Sequence, residues 1–222
     1  MRFDILSLFP EYFTGPFNES MLKQAIKKGL IDIRLVDIRD FADNKWRKVD
    51  DRPYGGGPGM VLMAEPVAKA VRASRSENSR VIYFSPQGKP LNAKKCRELA
   101  KEEHLILLCG HYEGIDERVL QSDIDEELSI GDYVLTNGCL PAIVLVDAVA
   151  RFIPSVLGNS EAANRDSFEN GMLDCPHFTR PENFEGVDVP EVLKSGDHKK
   201  IAEWRNSMAL QKTRCVRPDL LK

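Results

Sequence analysis

An α/β fold with a mostly parallel sheet, followed by a small helical C-terminal domain, is the architecture this sequence predicts. Two observations carry the first half. Short apolar, β-branched runs recur, and segments with helical spacing separate them, the alternation expected of strands joined by crossover helices. The third observation is a change of texture after Gly158, where a polar, Asn- and Ser-rich stretch leads into a basic helical segment.

The elements follow in order. "FDILSLF" and "IDIRLVDI" read as strands, with a helix over 20–28 between them. A helix over 65–74 precedes the strand "RVIYFS", and one over 92–103 precedes "HLILLC". "RVIYFSPQG" and "HLILLCGHYEG" share a form, a buried strand running straight into a glycine-containing loop. Ligands of parallel sheets bind beyond the carboxyl ends of strands, so two such loops predict one site.

"CLPAIVLVDAVARFI" reads as a helix with Pro141 in its first turn. It is apolar on every side except at Asp147 and Arg151, which predicts cover all round, by its own sheet or by a second subunit, with a dimer contact favoured. "GNSEAANRDSFENG" lacks an apolar period and reads as a linker. In "HKKIAEWRNSMALQKTR", Ile201, Trp204 and Met208 share one helical face with bases opposite. The expected divisions are an α/β domain over 1–158, a linker over 159–168 and a small helical domain over 169–222 that needs docking to be stable.

Composition narrows the class. A chain of 222 residues can bury one good core plus a small second module. It has no apolar run long enough to cross a bilayer, and "MRFDILSLFPEYF" lacks a small-residue cleavage site, so a secretory signal is not expected. Five scattered cysteines with no C-x-x-C pair suit the reduced thiols of a cytoplasmic protein, not a disulfide frame or a zinc site. The four histidines are also scattered, so no metal centre is expected. A net charge of −3 hides an asymmetry: residues 113–132 hold eight acids against one arginine, and residues 194–222 hold eight bases against three acids. Either run can be a solvated helix face; the basic one is also suited to nucleic acid.

"RPYGGGPGM" packs Gly55, Gly56, Gly57 and Gly59 into five positions. Glycine loses backbone entropy on folding, so the cluster needs a cause: a flexible loop, or a surface that a planar ligand approaches closely. Composition leaves both open. The familiar nucleotide and hydrolase signatures are missing: there is no P-loop, no G-x-G-x-x-G after a strand, no H-E-x-x-H and no G-x-S-x-G. Cys109 and His111 share a strand face without an orienting third group, a poor nucleophile arrangement.

"DDRPYGGGPGM", "SPQG", "CGHYEGIDERV", "SIGDYVL", "LPA" and "DSFENGMLDCPHFTRP" stand in the order seen in bacterial tRNA (guanine-N1)-methyltransferases, and the chain resembles that TrmD family over nearly its whole length. The resemblance implies a deep trefoil knot in the α/β domain, where the residues alone predict an ordinary doubly wound sheet. It implies methyl transfer from S-adenosylmethionine to N1 of the guanosine just 3′ of the anticodon, position 37, in tRNA. The alternatives are a methyltransferase of another substrate and a non-catalytic RNA-binding relative.

By the same resemblance the donor lies among Tyr83, Ser85, Pro86 and Gly88, then Gly110 and Glu113, then Ile130, Gly131, Asp132, Tyr133, Val134 and Leu135, with Pro141 close by. Glu113 would favour a cationic donor, although alone it reads as a solvated acid. Asp166 matches the base that takes the proton from N1, and Arg151 the cation that steadies charge on O6. Without the resemblance Asp166 reads as a helix N-cap and Arg151 as a base at a helix C-terminus. Asp50, Arg52 and Gly59, with Gly55 and Gly57, would border the guanine pocket. Arg180 and the bases Lys199, Lys200, Arg205, Lys212, Arg214 and Arg217 would meet tRNA phosphates. The resemblance further implies a homodimer whose subunits share each site. Magnesium is associated with the family, and no dedicated ligand set for it is visible. The departures are Asn137, Gly138 and Cys139 before "LPA", where two glycines and a glutamate are common, and His111, where arginine is common. The chain also stops at Lys222, short of many relatives.

Overall fold

The computed structural model describes residues 1–158, Ala163 and residues 166–221. They fall into two compact units, 1–158 and 159–222. Most of the expected linker, 159–168, lies outside the described residues.

In the first unit the order is β1 (Arg2–Ser7), α1 (Thr14–Phe17), α2 (Ser20–Lys27), β2 (Asp32–Asp37), β3 (Asp50–Asp51), β4 (Val61–Leu62), α3 (Ala64–Ser74), β5 (Ser79–Pro90), α4 (Ala93–Leu99), β6 (His104–Cys109), α5 (Glu117–Asp123), β7 (Glu126–Ser129) and α6 (Cys139–Ala150). Five strands form one sheet in the order β2-β1-β6-β5-β7, and every neighbouring pair is parallel. β3 and β4 pair separately and antiparallel.

The two-residue period of a strand assigns its side chains to opposite faces. Leu105, Leu107 and Cys109 of β6 pack with Phe3, Ile5, Ile82 and Phe84 against α6 and α2. Ile106 and Leu108 pack with Leu6, Val81 and Tyr83 against α3 and α5. Both faces are covered, which is why the strands read as unbroken apolar runs. The α4 helix is shorter than expected: Asn92 caps it through Lys95 N–H at 2.9 Å, and it stops at Leu99 so that the chain can turn into β6 at His104.

One feature of β5 was not expected. Phe84 and Lys89 both stand opposite Leu128 of β7, so the four residues between them, "SPQG", loop out of the ladder. Gly88 lies on the return: a β-carbon there would sit 2.5 Å from the Leu128 backbone. Its missing side chain permits this close approach.

The α6 helix is covered on one side only. Ala142, Leu145, Val146 and Val149 are buried, whereas Leu140, Val144, Asp147 and Arg151 are exposed along a line at helical spacing. Within the chain, the cover expected all round is therefore half supplied.

The second unit holds a two-stranded hairpin, β8 (Asn183–Phe184) with β9 (Val187–Asp188), then α7 (Glu191–Lys194) and α8 (His198–Val216). It is less purely helical than expected. Asp197 caps α8 at Lys199 and Lys200 N–H. Ile201, Trp204 and Met208 are half-buried, and Trp204 meets Phe178 at 6.1 Å.

Candidate functional site

Beyond the carboxyl ends of β5, β6 and β7 lies a cavity of about 450 Å³. Three segments contribute most of its wall: residues 83–87, where β5 enters its loop-out, the turn 110–115 after β6, and the stretch 129–141 that leads into α6. The second and third segments are joined by Gly138 N–H donating to Gly110 O at 2.8 Å. Of the residues expected at the donor, Tyr83, Ser85 and Pro86 line it from the first wall. Gly110 and Glu113 line it from the second, and Ile130, Gly131, Tyr133, Val134, Leu135 and Pro141 from the third. Gly88 and Asp132 do not: Gly88 packs on Leu128 instead, for the reason given above, and Asp132 lies outside the lining.

The lining is electrostatically one-sided. Glu113, Glu117 and Glu127 contribute carboxylates, and neither lysine nor arginine is among the lining residues. Ser85 Oγ–H donates to Glu127 and accepts from Gln87 N–H at 2.9 Å, which fixes the tip of the loop. Tyr83 is buried beside Glu127, and burial with that neighbouring charge pushes its phenol up to about 12, against the opposing effect of the Ile115 backbone. It stays a neutral hydroxyl at physiological pH. A site of this kind suits a cationic or neutral ligand with hydrogen-bonding edges and repels phosphate groups. Glu117, Glu127 and Gln87 were not singled out from the sequence. Glu127 was hidden in the acidic run, where nothing separates a solvated carboxylate from one facing a cavity.

The glycine cluster borders this cavity. Gly55, Gly56, Gly57 and Gly59 all have positive φ, which non-glycine residues rarely adopt. No other atoms crowd the first three, but a β-carbon at Gly59 would sit 2.7 Å from Glu113 Cγ. The close neighbour of Gly59 is thus a cavity-lining side chain of the same chain. Glu113 N–H donates to Met60 O at 3.0 Å, and Leu62 and Ile115 form a bridge, so the loop is laid along the cavity wall. Asp50 is half-buried opposite Leu62, and Arg52 is exposed beside it.

Arg151 closes α6 and is exposed. It stands ten residues beyond Pro141, roughly 15 Å along the axis at 1.5 Å per residue, and does not line the cavity. Asp166, in the second unit, is half-buried. Arg180 and the six expected phosphate-binding bases of that unit are exposed. Two of the six are already engaged: Arg217 forms a two-pronged pair with Asp219 at 2.9 and 2.7 Å, and Lys200 lies 3.5 Å from Asp197. Among the described residues no group of three or more His, Cys, Asp or Glu is placed to hold a metal ion, and no helix is long and apolar enough to cross a membrane.

Comparison with known proteins decides the lineage. The family model described as tRNA (guanine-1)-methyltransferase TrmD matches residues 1–222. The chain belongs to the TrmD family. Among TrmD relatives, a tRNA (guanine-N(1)-)-methyltransferase of Protochlamydia amoebophila (strain UWE25) is 66% identical over 221 residues, covering 100% of both chains. Proteins of the same name from Chlamydia muridarum (strain MoPn / Nigg) and Chlamydia trachomatis serovar D are 62% and 61% identical over 220 residues. This TrmD chain spans 62% of the length of each of those two.

Proposed function

We propose that this chain transfers a methyl group from S-adenosylmethionine to N1 of guanosine 37 in tRNA, as a cytoplasmic homodimer whose subunits share each site. The observation that carries the reading is the cavity, whose lining has three glutamates and no lysine or arginine, with glycine-containing loops among its walls. Family membership supports the reaction class. S-adenosylmethionine fits this donor set: it has no phosphate, carries a sulfonium charge and would supply an electrophilic methyl group. Glu113, Glu117 and Glu127 would hold the cationic part, and the glycine-containing walls would admit its flat adenine.

The chain's own residues then handle one proton and one charge. N1 of guanine is protonated and poorly nucleophilic, so the Asp166 carboxylate accepts that proton as the new N–C bond forms. Charge that moves to O6 is met by the Arg151 guanidinium, which favours the transition state over the ground state. Asp50 and Arg52 hold the base at the edge of the glycine loop. Arg151 lies at the far end of α6 from its own cavity, which supports its serving the partner subunit's cavity. The exposed Leu140 and Val144 of α6 support the dimer that this requires. Arg180, with Lys199, Arg205, Lys212 and Arg214, grips the backbone of the tRNA.

Purified protein with methyl-labelled S-adenosylmethionine tests the reading on two transcripts, one with guanosine and one with adenosine at position 37. Label should enter only the guanosine transcript and map to N1. Equal labelling of both, labelling without RNA, or tRNA binding without labelling would each replace the reading with one of its alternatives.

A further inference from the structure

Beneath the cavity lies a side-chain cluster that the proposed reaction does not use. His111 and Asn137 face each other across an antiparallel contact. One step along the same register, Gly110 faces Gly138, and one step more brings Cys109, the last residue of β6, opposite Cys139, the first residue of α6. A β-carbon on Gly138 would lie 2.9 Å from Cys109 Cα, so the two backbones are in direct contact. The two thiols are close enough to influence each other's titration. Cys139 Sγ also lies 3.3 Å from Ser7 Oγ and 4.0 Å from His111 Nε2. Both cysteines are fully buried, and His111, which touches Cys139, lines the cavity.

The two sulfurs are not equivalent. The neighbouring Cys109 thiol, with His111 and Ser7, draws the Cys139 thiol below its usual range against the effect of burial. Burial and its neighbour hold Cys109 well above that range. The N-terminus of a 12-residue helix favours a thiolate at Cys139 in the same sense. One sulfur is set to attack and the other to resolve.

We infer that Cys109 and Cys139 form an oxidisable dithiol whose disulfide distorts the cavity floor and weakens ligand binding there. The oxidant is a peroxide small enough to enter through the cavity. The Cys139 sulfur attacks one oxygen of hydrogen peroxide, the O–O bond breaks, and the departing hydroxide takes up a proton as water. The Cys109 sulfur, giving up its proton, then attacks the resulting sulfenic acid; the S–S bond forms, the S–O bond breaks, and a second water leaves. Two thiols are oxidised and the peroxide is reduced. A disulfide needs its sulfurs about 2.05 Å apart, far inside hydrogen-bond contact. Closure therefore pulls on Gly110 and Gly138, which both line the cavity and are already bonded to each other.

The identity of the ligand rests on the proposed function; the cross-link does not. The test uses the full chain carrying Cys215→Ser, which removes the exposed thiol. Hydrogen peroxide should produce a 109–139 cross-link by peptide mass mapping and change hydrogen exchange in 110–114 and 136–138. It should also lower S-adenosylmethionine affinity in calorimetry by about tenfold or more, a coupling of ordinary size, and dithiothreitol should reverse all three. Cys109→Ser and Cys139→Ser should each abolish the cross-link and the exchange change, and when reduced should bind as the parent does. Free thiols at both positions after peroxide, or a cross-link that leaves loop exchange and affinity unchanged, would overturn the inference. A cross-link with altered loop exchange in a protein that never bound S-adenosylmethionine would uphold the dithiol and remove only the donor assignment.

Discussion

Gly59 has positive φ and a neighbour, Glu113, that occupies the space of a side chain. Gly59→Ala must push that carboxylate out of the cavity wall. Its affinity for a cationic donor should fall, Glu113→Gln alone should lower it similarly, and the double variant should lose little more, because the two changes act through one group. Calorimetry of the three variants checks this; additive losses would separate the two residues. A second residue-scale consequence lies at the other end of the sheet. His104 is buried, with Nδ1 2.9 Å from Ser76 Oγ and Nε2 3.5 Å from the buried Asp4, which Arg2 holds through two 2.7 Å bonds. Burial lowers the His104 pKa from 6.5, against the pull of Asp4. Between the lowered value and 6.5 the unfolded chain binds more protons than the folded one, so this stability term rises with pH and is complete above 6.5. His104→Gln should flatten the slope of stability below that point, by no more than about 1.4 kcal/mol per pH unit. Urea unfolding at a series of pH values reads it; an unchanged slope would clear His104 of any part.

Among the elements, α6 couples core and surface. Its buried side is set by the sheet, and its exposed apolar residues Leu140 and Val144 are the contact that the proposed dimer would use. Val144→Arg should therefore keep the fold, as read by circular dichroism, while sedimentation shows a monomer without methyl-transfer activity; an active monomer would contradict the shared site. The apolar pattern of α6 was legible from the sequence, but not which side would face out, because one apolar side chain carries no label for its cover. The parallel sheet was legible for a related reason: strands buried on both faces must be apolar throughout, as "HLILLC" is. The looped-out "SPQG" was not. Period and propensity describe single strands, whereas Phe84 and Lys89 sharing Leu128 is a property of a pair. That is why Gly88, expected at the donor, turned out to serve the strand return. The end of α4 was missed because Ala100 and Lys101 suit a helix, and only the start of β6 forbids one.

At the scale of the molecule, charge is divided between the two units. The first gathers carboxylates around a cavity, and the second carries exposed bases along α8. Under the proposed function, such a division would let one chain hold a cationic donor and a polyanionic acceptor without either site attracting the other's ligand. The acidic and basic runs were visible in the sequence, and their division of labour follows once three of the acids line a cavity. The resemblance implies, and the single chain does not test, that Asp166 of one subunit serves the cavity of the other. A mixed dimer measures this most directly: one subunit carries Asp166→Ala, the other the donor-site change Glu113→Lys, and the heterodimer is isolated by two affinity tags. Each homodimer should be inactive, and the heterodimer should regain about half of the wild-type methyl transfer to guanosine 37 transcripts, from one intact site in an isologous pair. A heterodimer as inactive as its parents, or an Asp166→Ala homodimer that still methylates at full rate, would contradict the account.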